Sequence, residues 1–181
     1  MSEGFTLIEL VVVICIVAVT ISVLLPRVWY WQRQARIGHL NYARGAVHAA
    51  QALVHAKLLA QGGTPDSTAC TGGGVADNRT EGRGTVCTEA GLVQTLNGYP
   101  GSIAPNSPGS PGILGAAGIG TSFNATAAQL QADGYSVTVA NGVTTISRAD
   151  APTPAQCFFT YTESLVARTA ASISPSVITG C

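Results

Sequence analysis

Nine basic and nine acidic residues among 181 cancel to a net charge of zero, which leaves no cationic surplus to hold a nucleic-acid backbone. Less an apolar amino-terminal stem, the length provides for one soluble domain of modest size. The 21 glycines, with abundant Ala, Thr and Ser, suit a secreted, loop-rich, thinly charged surface that packs against copies of itself.

The chain's one long apolar segment starts at Phe5 and continues through Leu25. As a helix of about twenty residues it can span a bilayer core of roughly 30 Å. Inside its first turns stands one carboxylate, Glu9. A charge at such a place costs on the order of 2.5–3.5 kcal/mol on the mildest scale, so an acid there calls for a partner and a task. A secretory signal peptide would need a basic start and a small-residue cleavage site behind a shorter apolar core, and neither is present. Cys15, within the run, is expected to act as a small buried hydrophobe.

The helical pattern extends over residues 5–61, up to the terminator Gly62-Gly63-Thr64-Pro65. At 1.5 Å per residue that is roughly 80 Å. Pro26 divides it and is expected to kink or locally loosen it by removing one backbone hydrogen bond. The first half, 5–26, is the membrane-spanning piece. The second half, 27–61, is amphipathic, with Leu40, Ala43, Val47, Ala50 and Val54 on one face and Arg33, Arg36, Arg44 and Lys57 off that seam. Trp29, Tyr30 and Trp31 suit either a membrane interface or packing between copies. His39, His48 and His55 lack the three- or four-residue steps of a helical zinc site, and no metal or other cofactor is expected.

Residues 62–181 form the globular part. Residues 62–84 read as loop. Thr85-Val86-Cys87-Thr88 and Leu92-Val93-Gln94-Thr95-Leu96 read as a hairpin turning at Gly91, with a short helix from Thr88 as the competing reading. Residues 98–120, dense in Gly, Pro and Ser, read as an ordered surface loop. A short helix is expected over 124–133, capped by Asn124 and ended by Gly134. The clearest β signal is the pair 135–139 and 143–147 around the tight turn Asn141-Gly142. Residues 157–162 make a further strand and 173–178 a short last one. The sum is an α+β fold, a long helix with an antiparallel sheet over its second half.

Cys70, Cys87, Cys157 and Cys181 permit three pairings. Neighbour pairing, Cys70 with Cys87 and Cys157 with Cys181, closes two loops of roughly 20 residues, each worth about 3 kcal/mol in the chain-entropy model. No basic or histidine neighbour is placed to activate a thiol.

The opening Gly4-Phe5-Thr6-Leu7-Ile8-Glu9, followed by an unbroken apolar helix, resembles the processing and assembly motif of type IV pilins and of type II secretion pseudopilins. The resemblance implies a leader of residues 1–4, cleaved after Gly4 by a prepilin peptidase, and N-methylation of Phe5. It implies that Glu9 neutralises the amino terminus of a neighbouring subunit during growth, specifying register more than adding stability. It implies that Pro26, at the membrane exit, melts a turn when subunits pack. Asn97-Gly98-Tyr99-Pro100, Cys157-Phe158-Phe159-Thr160-Tyr161-Thr162-Glu163 and the final Gly180-Cys181 are similar to the mannose-sensitive haemagglutinin type of pilin, whose carboxyl-terminal disulfide loop the pair Cys157 and Cys181 would form. One departure stands out. Family leaders are usually basic, whereas Met1-Ser2-Glu3-Gly4 is short and acidic, and Arg27, Arg33 and Arg36 follow the run. The positive-inside bias then favours the opposite orientation. Four cysteines on the carboxyl side point to an oxidising compartment there and outweigh it. A start further upstream, with basic residues, would reconcile the two.

What the resemblance implies is a structural subunit: a pilin that polymerises into a helical homo-oligomer for adhesion, surface attachment or motility. Its partners would be other copies, the prepilin peptidase, an inner-membrane assembly platform and the membrane itself before assembly. It would reside in the inner membrane as precursor and in an extracellular filament afterwards. The alternative is a pseudopilin or minor pilin of a short periplasmic export fibre. Major pseudopilins often carry a calcium site in an acid-rich late loop, and here Asp133, Asp150 and Glu163 are few and well separated. A membrane-anchored enzyme would need a base, nucleophile or metal cluster, which the soluble part lacks. A DNA-uptake filament is a further alternative, in which clustered residues such as Arg79 and Arg83 would meet phosphate, while the plain reading of the two is a solvated loop.

Overall fold

A computed structural model describes residues 6–181, and all of Pro26 except its side chain. The leader residues, Gly4 and Phe5 lie outside the described residues. The first element, α1, is a single helix, Leu7–Gln61, whose helical backbone continues through position 26. The chain divides into two compact units, residues 1–36 and 37–181, so α1 contributes to both.

In the second unit the face foreseen on α1 is buried. Leu40, Val47 and Leu58 are wholly inaccessible, and Ala43, Ala50 and Val54 nearly so. Their three- and four-residue steps stack them along one side of the helix. Each Leu or Val so buried is worth about 1.5–3 kcal/mol, and the alanines let other backbone approach closely.

The strands divide into two antiparallel sheets rather than one. β1 (Arg83–Cys87), β2 (Leu92–Leu96) and β3 (Tyr99–Pro100) form the first, in the order β1-β2-β3. β4 (Tyr135–Ala140), β5 (Val143–Arg148), β6 (Phe158–Thr162) and β7 (Ser172–Ile173) form the second, in the order β4-β5-β6-β7. The stripe on α1 divides accordingly. Leu40, Ala43, Val47 and Ala50 share a core with Ile146, Phe159 and Tyr161 of the second sheet. Val54 and Leu58 share another with Val86 and Val93 of the first.

Local chemistry sets the turns. Asn141 and Gly142 both take positive φ, 51° and 74°, as a two-residue primed turn requires. Asn97 and Gly98 do the same, at 50° and 82°, and join β2 to β3 with Leu96 opposite Tyr99. The helix foreseen over 124–133 is shorter. It is α3, Ala127–Ala132, with α2 the one-turn helix Ile113–Ala116 before it. Its cap is Thr126, not Asn124: the Thr126 hydroxyl accepts from Gln129 N and the Gln129 side-chain Oε1 accepts from Thr126 N, a complete capping box. Asn124 instead donates to Gly109 O.

The segment 98–120 departs furthest from expectation. It is no surface loop throughout, since Pro111, Gly112, Ile113, Leu114 and Gly115 are all buried. Ile113 is an apolar plug in the main core. Gly112 permits it, because a Cβ there would collide with the Gly101 carbonyl. That carbonyl accepts a 2.9 Å hydrogen bond from Ile113 N.

Tyr161 ties the two sheets together. Its hydroxyl donates to Pro100 O at 2.6 Å, wholly buried. Burial foremost, then the carboxylate of Glu163 and the neighbouring Tyr99, push the phenol's pKa above its ordinary value. A folded-state pKa above the unfolded value gives stability that is complete below about pH 10 and lost as pH rises through the folded value. Tyr161→Phe is therefore expected to cost about 1–3 kcal/mol near neutrality by stranding a buried carbonyl, and to flatten the alkaline fall in stability. Denaturant melts between pH 7 and 11 check both.

Candidate assembly surface

The first unit has the composition of a core and the exposure of a surface. Every described residue from 6 to 35 is exposed, Leu7 at 80% and Val19 at 66%. By length and composition this helix is apolar enough to cross a membrane, and among the described residues its most apolar stretch is wholly unburied. Its hydroxyls are silenced internally. Thr20 Oγ1 donates to Val17 O and Ser22 Oγ to Val19 O, each at 2.8 Å, so neither presents a free donor to an oily neighbour. Trp29, Tyr30 and Trp31 are 71%, 60% and 65% exposed just beyond the run. Cys15 is exposed as well, against the expectation of burial. No described residue buries it.

Glu9 is the one acid in the first turn of α1. Its N–H donates to Thr6 Oγ1 at 3.4 Å, and Thr6 Oγ1 donates to Glu9 Oε2 at a long 3.5 Å. The carboxylate also faces the positive end of the helix dipole, worth about 0.3–1 kcal/mol. Among the described residues no cation forms an ion pair with it. Thr6 escaped the sequence reading, although Thr-x-x-Glu ahead of an apolar run is a recognisable helix start. The arrangement steadies the first turn, and no described cation compensates the charge.

The remaining candidate residues lie in the globular unit. Cys70 is bonded to Cys87, with Cα atoms 5.4 Å apart, and Cys157 to Cys181, at 4.9 Å. Lys57 Nζ donates to Cys87 O at 2.6 Å, which links α1 to the first disulfide. Among the described residues the one group of acids and thiols near enough to share a metal is Asp66 with Cys70 and Cys87, and both sulfurs are spent in that disulfide. His55 has a packing role: its ring stacks on Tyr99 at 4.2 Å and its Nδ1 lies 2.9 Å from Gly98 O, an acceptor, so Nδ1 carries the proton. His39 and His48 are exposed.

The late acids have separate engagements. Asp133 accepts from Thr121 N, Asp150 from the Arg148 guanidinium and Glu163 from Ser102 N. Arg79 pairs with Asp77 in an exposed loop, and Arg83 is exposed at the start of β1. Glu9 and Pro26 stand about five helical turns apart, so the structure does not bring them together. Comparisons of the chain with protein-family models, with curated proteins and with solved structures find no match.

Proposed function

We propose that this chain is a pilin, the structural subunit of a type IV pilus-like filament, held in the inner membrane by its first helical unit and then drawn into the filament core. The observation that carries this reading is the bare apolar helix with an acid in its first turn that no cation of the described chain pairs with. Lipid serves such a helix along its length but leaves Glu9 costly. A bundle of identical helices serves both, covering the apolar surface and bringing a neighbour's amino terminus to the carboxylate. Contacts of that kind repeat without closing and so make a fibre. The globular unit, tied by two disulfides and thinly charged, would face solvent and decide what the fibre adheres to.

The pseudopilin reading shares the helix and differs in the globular unit. The separate engagements of Asp133, Asp150 and Glu163 give it little support as a calcium-bearing major pseudopilin.

Intact mass of the protein recovered from sheared cell-surface material tests the proposal. The expected species begins at Phe5, carries one methyl group on that amine and has lost four hydrogens to two disulfides. A molecule that retains residues 1–4 in every fraction overturns the reading. Long surface filaments containing this subunit favour the pilus; their absence beside a protein-export defect favours the secretion fibre.

A further inference from the structure

Three of the four outer sheet edges are closed by the chain itself. Outside β1, Asn78 N donates to Thr85 O at 2.9 Å and Thr85 N donates to Asp77 Oδ1 at 2.7 Å. β3 is two residues long and ends in a proline. Beside β7, side chains of α1 reach the backbone on either flank, Gln51 to Ala171 O and Arg44 to Ser174 O, both at 2.8 Å. β4 is different. It is a full six-residue strand at the end of its sheet, paired in unbroken register with β5 alone.

The register fixes which groups face outward. The two-residue turn makes Ala140 and Val143 a hydrogen-bonded pair, and alternation then turns the N–H and C=O of Tyr135, Val137 and Val139 away from β5. The Arg148 N to Cys157 O bond on the far side of β5 agrees with this phase. Among the described residues no hydrogen-bond partner is found for those outward groups. Nor does the strand's own sequence carry a protection against pairing. Tyr-Ser-Val-Thr-Val-Ala has no charge, no proline and no bulge.

We propose that this edge pairs with the same edge of a second copy, antiparallel about a two-fold axis through Val137. The strand is its own complement in that register. Val137 meets Val137 of the second copy and Tyr135 meets its Val139, so the three outward residues supply six backbone hydrogen bonds. On the inner face this sets an aromatic ring against a β-branched side chain. On the exposed face it sets Ser136 against Thr138 of the second copy. Both are favourable cross-strand pairs. The strand is uncharged, so the pairing sets no like charges of β4 opposite each other. The contact closes on itself and so adds a lateral joint between two copies, or between two fibres, rather than lengthening one. It stands independently of the filament reading.

The test uses full-length protein in detergent, in a Cys15→Ser background. Ser136→Cys and Thr138→Cys are made in separate preparations and then mixed under mild oxidation. Opposed residues of a non-hydrogen-bonded pair lie about 4.5 Å apart at Cα, within disulfide reach. The mixture is expected to give a cross-linked dimer and each variant alone only background. Ser136→Cys mixed with Ala140→Cys, one step out of register, is expected to give none. Native disulfides and an unchanged melt show that each variant is folded. Folded variants that give no cross-link on mixing, or as much when alone, overturn the proposal. So does equal linkage of Thr138→Cys to a cysteine-bearing strand peptide of unrelated sequence, which would assign the edge to extended peptides instead.

Discussion

Glu9→Val is expected to leave the protein folded and membrane-bound while abolishing surface filaments. The direction is informative because simple energetics point the other way. Removing a carboxylate from an apolar helix lowers the cost of insertion by about 2.5–3.5 kcal/mol, so a plain membrane anchor would tolerate or welcome the change. The lost first-turn contacts between Thr6 and Glu9 and with the helix dipole amount to only about 1 kcal/mol, too little to unfold a domain whose core starts at Leu40. Thr6→Ala separates the two roles of the carboxylate. It removes the local partner and keeps the charge, so filaments should persist. Shearing followed by quantification of subunit in the polymer and in the membrane reads each variant. Polymer yield unchanged in Glu9→Val sinks the filament reading outright.

Sequence made the helices and hairpins legible where one signal dominated. The stripe from Leu40 to Val54 and the Asn141-Gly142 turn each depend on a spacing or a backbone requirement that neighbouring residues alone satisfy, and both stand where expected. The Asn97-Gly98 turn carries the same signal, but its second strand, Tyr99–Pro100, is too short to show alternation, so the hairpin is not legible. Distance in the chain defeated the rest. Ile113 and Leu114 are two apolar residues in a Gly-Pro-Ser tract, and their burial depends on Gly112 meeting Gly101. Thr126 outcompeted Asn124 as a cap because Gln129 stands three residues beyond Thr126 and closes the box. The partition of the strands into two sheets is a matter of long-range pairing, which local propensity does not encode. At the candidate assembly surface the reverse holds. The apolar run and Glu9 are evident in the sequence, and the structure adds that nothing in the described chain covers the one or neutralises the other.

Cys157→Ala with Cys181→Ala is expected to be the most damaging change in the globular unit. The bond closes a loop with a sequence separation of 24, worth about 3 kcal/mol in the chain-entropy model. Both sulfurs are buried in the main core, so alanine leaves a small void but no stranded hydroxyl. The tail's remaining ties are hydrogen bonds, each weak alone. β7 pairs with β6 at two positions, a bridge joins Phe158 to Val177, and Gly180 exchanges backbone bonds with Thr153 and Gln156. The α1 contacts to Ala171 O and Ser174 O are single hydrogen bonds, about 0.5–1.5 kcal/mol each. Against a total of about 5–15 kcal/mol the loss is large, and for a unit of this size it lowers Tm by roughly 10 °C. The order of failure distinguishes this from general weakening. Amide exchange should rise first over residues 172–181, while β4, β5 and the β1–β2 hairpin keep their protection. Uniform loss of protection, or an unshifted Tm, would contradict the account. Cys70→Ala with Cys87→Ala, a loop of separation 17, should instead loosen residues 62–82 and spare the tail. The two effects should add, because the bonds share no partner, and losing both removes about 6 kcal/mol, comparable with the whole stability of a marginal domain.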